Sequence, residues 1–398
     1  MKASEEQRPL LVNTTWSPLQ GGVPTWNRSL AIALVEAGYP TACLVERATE
    51  AEHEDARRHG VTLFTAARTP AGPSLLLPAR PVLDLDPNLV IGHDRFSGPA
   101  AWAYARHFAH ARLVHIVHTA PPEIEPYKNS GRAGLLIAER EQITLRMAAS
   151  ADVVAAVGPR LRRYAADLLS DESGPGQVLR LDPGLTAAAD PAPVRRPPAK
   201  HHVLVLGRTD DVVLKGLDIA ARAVAVVATR DSTVGLRVRG APQEQCDALH
   251  RKLVRLSGLA RERIDVRAYT VDPAELRRDL VRSAVCVMPS RAEGLGLVAL
   301  EAIAAGTPVL VSAKSGAAEL LLELLGRLAE PMIVDIHDDG PRDATAWAAA
   351  IEHILRDLPA ALRYAGQVRE LLAGRLTWGD TVATLMRALT TSPATTPS

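Results

Sequence analysis

Residues 284–312 read AVCVMPSRAEGLGLVALEAIAAGTPVLVS. The first five residues form an apolar run that suits a buried strand, and Pro289 ends it. A polar turn with Gly294 and Gly296 comes next, and the alanine- and leucine-rich residues after it suit a helix that starts near Gly296. Residues 306–308 (GTP) then lead into a second apolar run. This stretch therefore predicts a strand, a turn, a helix and a parallel strand.

The same alternation of short apolar runs and helix-like stretches continues through the chain. It predicts an α/β fold with two Rossmann-like, doubly wound domains that face a central cleft, where the carboxyl ends of the strands hold the ligand. The predicted strands are Leu10–Asn13, Thr41–Val45, Leu89–Gly92, Leu113–His118, Asp152–Val157, 201–208, Val234–Arg239, Ile264–Ala268, Ala284–Met288 and Pro308–Ser312.

A proline-rich stretch divides the two patterns. Residues 183–198 read PGLTAAADPAPVRRPP and offer little to bury, as is typical of a linker. The end of the chain, TTSPATTPS, has the composition of a disordered segment. We therefore predict four parts, which are an N-terminal domain (1–185), a linker (186–199), a C-terminal domain (200–388) and a disordered tail (389–398).

The composition indicates an ordinary globular protein. The 398 residues are 47% hydrophobic and 23% charged, and the 46 Lys and Arg residues balance the 45 Asp and Glu residues to a net charge of +1. This balance argues against a nucleic-acid-binding protein. The three cysteines are far apart, so we expect free thiols and a reducing compartment. The sequence shows neither a signal-peptide pattern nor a run long enough to span a membrane, which predicts a cytoplasmic location; the Ala-, Arg- and Pro-rich composition suggests a bacterium.

Two carboxylates frame the turn in the opening stretch. Glu293 and Glu301 are eight positions apart, and a fully helical interval would separate them by about 12 Å. That is about the distance from the hexose to the ribose of a nucleotide diphosphate sugar, and Gly294 and Gly296 permit backbone N–H groups to approach a phosphate. The alternative is a helix cap at Glu293 and a solvated residue at Glu301. Because the neighbours of Glu301 are mostly apolar, its carboxylate needs a hydrogen-bonding partner.

A second stretch carries two cations beside a predicted helix start. Residues 206–220 read LGRTDDVVLKGLDIA, with Arg208 after the strand and Lys215 before the helix. Two cations and a helix N-terminus can hold a diphosphate and offset the charge that develops as a sugar leaves it. The alternative is a pair of ordinary surface cations.

These stretches together resemble the retaining family-4 glycosyltransferases and their glutamate-x7-glutamate motif. The resemblance implies the GT-B fold, an N-terminal acceptor domain and a C-terminal domain for the nucleotide-sugar donor. In this reading Glu293 binds the donor sugar, Glu301 its ribose, and Arg208 and Lys215 its diphosphate. Leu295 stands where an aromatic residue is common. The donor contacts that the resemblance implies are Gly22, Arg208, Lys215, Tyr269, Glu293, Gly294, Leu295, Gly296, Leu297 and Glu301.

Residues at predicted strand ends complete the expected site. Gln20-Gly21-Gly22-Val23 lies between the first strand and helix, where paired glycines permit close backbone approach to a ligand or simply reverse the chain. His118 resembles the family's active-site histidine beside the reacting carbon, which makes His118, Glu293, Arg208 and Lys215 the expected catalytic set. His93 and Asp94 resemble an acceptor-side position. A purely structural histidine is the alternative for both rings.

No metal or cofactor is expected. Asp84-Leu85-Asp86 superficially matches a metal-binding D-x-D, but it precedes a proline in a loop and suits a turn or cap better. The Cys and His residues have no zinc spacing. We expect acceptor contacts from the loops near 65–80 and 119–134, of which the second is long enough to act as a lid.

The sequence thus predicts a retaining, metal-independent glycosyltransferase of the hexosyltransferase type. Its donor is a nucleotide diphosphate sugar, and its acceptor is unidentified, with a small natural product or a sugar as the candidates. A GT-B nucleotide-sugar epimerase and a non-catalytic nucleotide-sugar-binding protein are the alternatives. Arginine-rich patches such as 160–163 leave peripheral membrane contact open, against the alternative of a solvated helix face. The oligomeric state is not readable from the sequence.

Overall fold

Apolar β-branched runs form two fully parallel sheets. In the computed structural model, the described residues are 7–17, 21–108, 110–128, 131–170, 177–185, 197–198 and 200–391. The chain divides into a first unit, Met1–Pro121, Gly134–Gly184 and Thr377–Ser398, and a second unit, Pro122–Ala133 and Leu185–Leu376.

The first unit contains a seven-stranded parallel sheet and a small antiparallel hairpin. Its strands are β1 (Pro9–Val12), β2 (Ala42–Val45), β3 (Thr62–Thr65), β4 (Ala67–Thr69), β5 (Gly72–Ser74), β6 (Leu89–His93), β7 (Arg112–Val117), β8 (Val153–Val157) and β9 (Leu179–Leu181). The sheet has the order β3-β2-β1-β6-β7-β8-β9, and β4 pairs with β5. Because β1, β2, β6 and β8 are buried throughout, both faces of the sheet are covered.

The second unit contains a six-stranded parallel sheet. Its strands are β10 (His201–Leu206), β11 (Val234–Ala241), β12 (Ile264–Ala268), β13 (Val285–Met288), β14 (Val309–Ser312) and β15 (Ile333–Val334). They lie in the order β12-β11-β10-β13-β14-β15. Both sheets therefore have the doubly wound Rossmann order, and their strand order reverses between β1 and β6 and between β10 and β13.

Helices follow most strands. They are α1 (Gly22–Glu36), α2 (Glu50–Arg58), α3 (Arg80–Leu83), α4 (Asp94–His107), α5 (Pro121–Ile124), α6 (Ala133–Ala149), α7 (Gly158–Leu168), α8 (Leu217–Ala228), α9 (Cys246–Ser257), α10 (Pro273–Val281), α11 (Leu297–Ala304), α12 (Gly316–Leu325), α13 (Gly340–Arg356), α14 (Leu358–Ala373) and α15 (Trp378–Thr391), with short 3-10 helices at Glu125–Tyr127, Gln243–Gln245, Arg261–Arg263 and Gly326–Met332. In the second unit, Trp347 of α13 is fully buried in a cluster with Val224 of α8 and Leu236 of β11, which closes one face of the sheet.

The division of the chain differs from the predicted boundaries in two segments. Residues 122–133 belong to the second unit and Thr377–Ser398 to the first. The second difference arises because α15 packs on α1 and β9 and buries Val382, Leu385 and Leu389 there. The predicted disordered tail 389–398 is therefore helical up to Thr391, and residues 392–398 lie outside the described residues. The predicted linker 186–199 also lies outside them, apart from 197–198.

Candidate functional site

Two turns meet where the strand order of the second sheet reverses. The turn after β10 runs from Gly207 to Gly216, and the turn after β13 runs from Pro289 to Gly296. Gly216 has a φ of 65°, and a Cβ atom on it would lie 1.9 Å from the carbonyl oxygen of Pro289. Only glycine permits that approach, so the two turns pack backbone against backbone at the position where doubly wound sheets bind ligands.

Lys215 and Glu293 join these turns through their side chains. Nζ of Lys215 donates to Oε2 of Glu293 at 2.5 Å, and Oγ of Ser290 donates to the same oxygen at 3.4 Å. Both charged side chains are partly exposed, at 30% and 20%. Oε1 of Glu293 has no hydrogen bond within the described residues and remains available to a ligand hydroxyl.

The neighbouring turn supports Glu293. The N–H of Glu293 donates to the carbonyl of Lys314, and the N–H of Gly316 donates to the carbonyl of Glu293. The side chain of Leu295 is buried, so the expected donor contact of this residue is left to its backbone. Helix α11 begins only at Leu297, after Gly296 with a φ of 94°. The interval from Glu293 to Glu301 is therefore part turn and part helix, and the spacing of a full helix does not apply to it.

Glu301 is a partly buried carboxyl group with no partner. It forms no hydrogen bond or ion pair within the part of the chain that the structure describes. Burial raises its pKa to about 7. Burial, and after it the charge of Glu301, raises the pKa of the Tyr269 phenol and of the Cys286 thiol. A ligand that donates hydrogen bonds would stabilise a partly buried carboxylate that has no partner in the protein.

Arg208 is the free cation of the first turn. Its side chain is exposed and has no ion pair or hydrogen bond among the described residues. Gly216 and Gly296 are the N-cap residues of α8 and α11, the helices behind the two turns, so neither helix has a side-chain cap. Their N-terminal N–H groups therefore have no side-chain acceptor, which favours an anion there.

Arg291 links the two turns, a role that was not predicted from the sequence. It is 8% exposed, and its guanidinium pairs with both carboxylate oxygens of Asp218 at 2.8 Å. It also donates to the carbonyl of Val213 at 2.5 Å, and its own N–H donates to the carbonyl of Leu214. An arginine two positions before Glu293, with an acidic residue in the first turn of α8, the helix after the other turn, was the available signal.

Residues 122–128 pack on the second unit, although the sequence predicted an acceptor loop of the N-terminal domain for 119–134. The phenol of Tyr127 donates to Asp338 at 3.0 Å. Nζ of Lys128 lies 3.9 Å from the carboxylate of Asp211, in the turn that carries Arg208. These contacts hold the segment on the second unit.

In the first unit, His118 lies directly after β7 in a network of polar and aromatic side chains. Its Nε2 is 2.9 Å from Nδ1 of His93, and Nε2 of His93 is 2.8 Å from Oδ1 of Asn27. The Trp26 ring meets both imidazoles edge-on, with its centroid 5.4 Å from that of His118. The His118 side chain is half-buried, whereas His93 and Asn27 are completely buried.

Asp94 fixes the backbone of His118. It has a φ of 40°, a conformation that residues other than glycine adopt at a cost. Its carboxylate accepts the N–H of His118 at 3.1 Å and the Thr119 hydroxyl at 2.9 Å. Burial raises the pKa of Asp94 to about 6. His93 and Asp94 were expected on the acceptor side. Both are buried, and their side-chain polar atoms contact Asn27, His118 and Thr119, so the structure shows contacts that support His118, and the acceptor-side role stays a prediction.

A comparison with known protein families decides the classification. The model of "Family 4 Glycosyltransferase in conflict systems" matches residues 10–385. The chain belongs to this family. This confirms the resemblance drawn from residues 206–220 and 284–312.

Individual relatives agree with the family. Glycogen synthase of Mycobacterium tuberculosis is 31% identical over 227 residues, which cover 55% of this chain and 50% of that protein. The match thus spans about half the length of that relative. D-inositol 3-phosphate glycosyltransferase of Kineococcus radiotolerans is 31% identical over 314 residues, covering 74% of this chain and 69% of the relative.

The fold agrees as well. The crystal structure of Anabaena HepE in complex with UDP-glucose matches with a TM-score of 0.69 at 16% identity, covering 96% of this chain and 99% of HepE. The predicted GT-B fold class, with two Rossmann-like α/β units, is confirmed.

The glycine turn and the D-x-D of this family-4 member both lie in the first unit. Gly22 is the exposed first residue of α1, after Gly21 with a φ of 108°, while Gln20 lies outside the described residues. Asp84 follows α3, and Asp86 pairs with Arg8, as suits a cap and a turn.

Among the residues that the structure covers, no group of three or more His, Cys, Asp and Glu could hold a metal ion. In the same part of the chain, every helix is too short or too polar to cross a bilayer.

Proposed function

We propose that this protein is a retaining glycosyltransferase that takes a sugar from a nucleotide diphosphate donor. The observation that carries the proposal is the 2.5 Å contact between Lys215 and Glu293, which brings a cation and a carboxylate together where the second sheet's strand order reverses. A glycosyltransferase needs this pair of charges because its donor presents an anionic diphosphate beside a ring of hydroxyl groups.

The diphosphate binds Arg208, Lys215 and the N-termini of α8 and α11 in this proposal. Arg208 has no competing partner in the described chain, and neither helix has a side-chain cap. These positive groups offset the charge that develops on the departing phosphate, so the proposal includes no metal ion.

The flanking sugars bind the two carboxylates. Oε1 of Glu293 accepts from hydroxyls of the transferred sugar, and Glu301 accepts from the ribose hydroxyls. The lack of a partner at Glu301 supports its assignment, because a partly buried carboxylate gains most from a donor that the protein does not supply. Tyr269 lines the nucleoside, and His118 of the first unit contacts the transferred sugar, as the family resemblance implies.

The reaction that we propose is substitution on one face of the sugar. The bond between the anomeric carbon and the phosphate oxygen breaks, and the acceptor oxygen bonds to the same face. The acceptor proton passes to the departing phosphate, which acts as the base. The protein contributes mainly by stabilising the leaving group through Arg208 and Lys215.

The test is product analysis with a panel of donors, with and without acceptors. UDP-glucose comes first because the structural neighbour HepE was crystallised with it, and the names of the relatives put D-inositol 3-phosphate and glycogen among the acceptors to try. Proton NMR of the product should show the donor's anomeric configuration. Inversion would contradict retention, an epimerised donor without acceptor would indicate the epimerase, and binding without turnover would indicate a binding protein.

A further inference from the structure

Three hydrogen bonds in the first unit form a directed chain that ends at His118. We propose that Asn27 and His93 are positioning residues that hold His118 in its Nε2–H tautomer, so that Nδ1 is a hydrogen-bond acceptor for the substrate. The assignment of a substrate to His118 rests on the proposed function. The tautomer itself does not depend on that assignment.

The donor and acceptor of each hydrogen bond follow from the bond farthest from His118, between Asn27 and Cys43. Nδ2 of Asn27 donates to Sγ of Cys43 at 3.4 Å, which leaves the amide oxygen to face Nε2 of His93 at 2.8 Å. Because an oxygen only accepts, Nε2 of His93 carries the proton. A neutral imidazole has one N–H, so Nδ1 of His93 is an acceptor. The Nε2 of His118, 2.9 Å away, must then be the donor.

The surroundings keep both rings neutral. His93 is completely buried, and burial together with His115 lowers its pKa to about 3. Burial, His93 and His115 also lower the pKa of His118. At the far end of the chain, burial raises the pKa of the Cys43 thiol to about 12, so this group stays uncharged. The nearby charged residues are Asp94 and Arg95, and the carboxylate of Asp94 accepts the backbone N–H of His118 rather than a ring nitrogen.

The arrangement exceeds what packing requires. Asp94 already fixes the backbone of His118, and Trp26 already packs against its ring. Apolar side chains at positions 27 and 93 would fill the space without the cost of burying polar groups. The hydrogen bonds among these polar side chains additionally determine which ring nitrogen of His118 carries the proton. Nδ1 of His118 has no hydrogen bond within the described residues, so this nitrogen is available to accept a hydrogen bond from a ligand.

The direct test is the tautomer of His118 in the full-length protein. Long-range proton–nitrogen NMR of protein labelled with ¹⁵N-histidine distinguishes the two tautomers and the cation. Spectra of His118→Gln and His93→Gln assign the two signals. We expect Nε2–H on both rings at pH 7. An Nδ1–H tautomer or a cation at His118 would overturn the proposal, and this result does not depend on whether the protein transfers a sugar.

A second measurement connects the tautomer to turnover. Asn27→Leu removes the acceptor from His93 and should mix the His118 tautomers and lower kcat about tenfold, with less effect on the donor KM. Asn27→Asp restores an acceptor and should recover the Nε2–H signal and part of kcat. The matched control is Asn88→Leu, because the Asn88 amide is also buried and accepts the N–H of Arg8. This variant should change thermal stability only. Wild-type tautomers and kcat in Asn27→Leu would overturn the proposal.

Discussion

Nζ of Lys215 and Oε2 of Glu293 are 2.5 Å apart, and this ion pair links the turn after β10 to the turn after β13. Each charge neutralises the other in the unliganded protein. A diphosphate near Lys215 would compete with Glu293 for the ammonium group and leave the carboxylate free for sugar hydroxyls. The pair therefore couples the two halves of the proposed donor site.

The first prediction concerns Lys215→Ala. Removing a cation that offsets charge on the leaving phosphate should lower kcat about 100-fold and weaken donor binding. Steady-state kinetics with the accepted donor measures both effects. Lys252→Ala, on the exposed surface of α9, is the control and should match the wild type. Unchanged kinetics in Lys215→Ala would contradict its assignment to the diphosphate.

The second prediction concerns Glu301 and pH. Since burial raises the pKa of Glu301 to about 7 in the folded chain, ionising it costs folding free energy that grows as the pH rises from about 4.5 through 7. Glu301→Gln should therefore be more stable than the wild type at pH 8, by at most about 3 kcal/mol, and equal to it near pH 4.5. Urea unfolding at both pH values measures the difference.

The matched variant for Glu301→Gln is Glu262→Gln, whose side chain is exposed. It should show no gain at pH 8. Glu301→Gln should also lose donor affinity despite its greater stability, because an amide accepts hydrogen bonds from the ribose hydroxyls less strongly than a carboxylate does. A variant that is stabilised equally at both pH values would contradict the raised pKa.

The fold of the second unit was predicted well because the pattern that decides it is local in sequence. The strand, turn and helix of residues 284–304 place Glu293 and Glu301 without reference to distant segments. Arg291 was missed because its role depends on Val213, in the turn after β10, and on Asp218, in the first turn of α8. The sequence pattern fixes the position of each turn, but only the packed sheet shows which two turns meet.

The third prediction concerns Arg291. Arg291→Ala leaves the partly buried carboxylate of Asp218 without its cation and should lower the free energy of unfolding by about 3 kcal/mol. Arg230→Ala breaks a bidentate pair with Glu352 on an arginine that is 70% exposed, and it should cost less than about 1 kcal/mol. Urea unfolding compares the two. An equal loss of unfolding free energy in the two variants would contradict the role of Arg291 in linking the two turns.

The first unit was predicted less completely. The strand ends at His93 and His118 are correct, but the sequence did not show that His93 is completely buried or that Asn27 of α1 bonds to its ring. Nothing in the sequence of α1 distinguishes Asn27 from other polar residues of a helix. Likewise, α15 is far from β9 in sequence, so its place beside that strand depends on buried residues such as Leu385 that could pack on either unit.

The fourth prediction concerns Gly216. It shares a positive φ with Gly258, at 65° and 70°, but a Cβ at Gly216 would meet Pro289 whereas nothing lies within 4 Å at Gly258. Gly258→Ala should cost only the backbone strain, about 1 kcal/mol. Gly216→Ala should cost clearly more and weaken donor binding, because the two turns must separate. Thermal unfolding and donor titration check this, and equal behaviour of the two variants would contradict close packing of the turns.

Calorimetric titration of the protein with UDP, GDP, ADP and dTDP tests the central claim most directly. We expect at least one of them to bind the wild type. Arg208→Ala removes a cation that has no partner within the described residues, and it should weaken this binding about tenfold or more. If none of the four binds, or if Arg208→Ala binds as tightly as the wild type, the second unit does not hold a pyrophosphate in the way proposed.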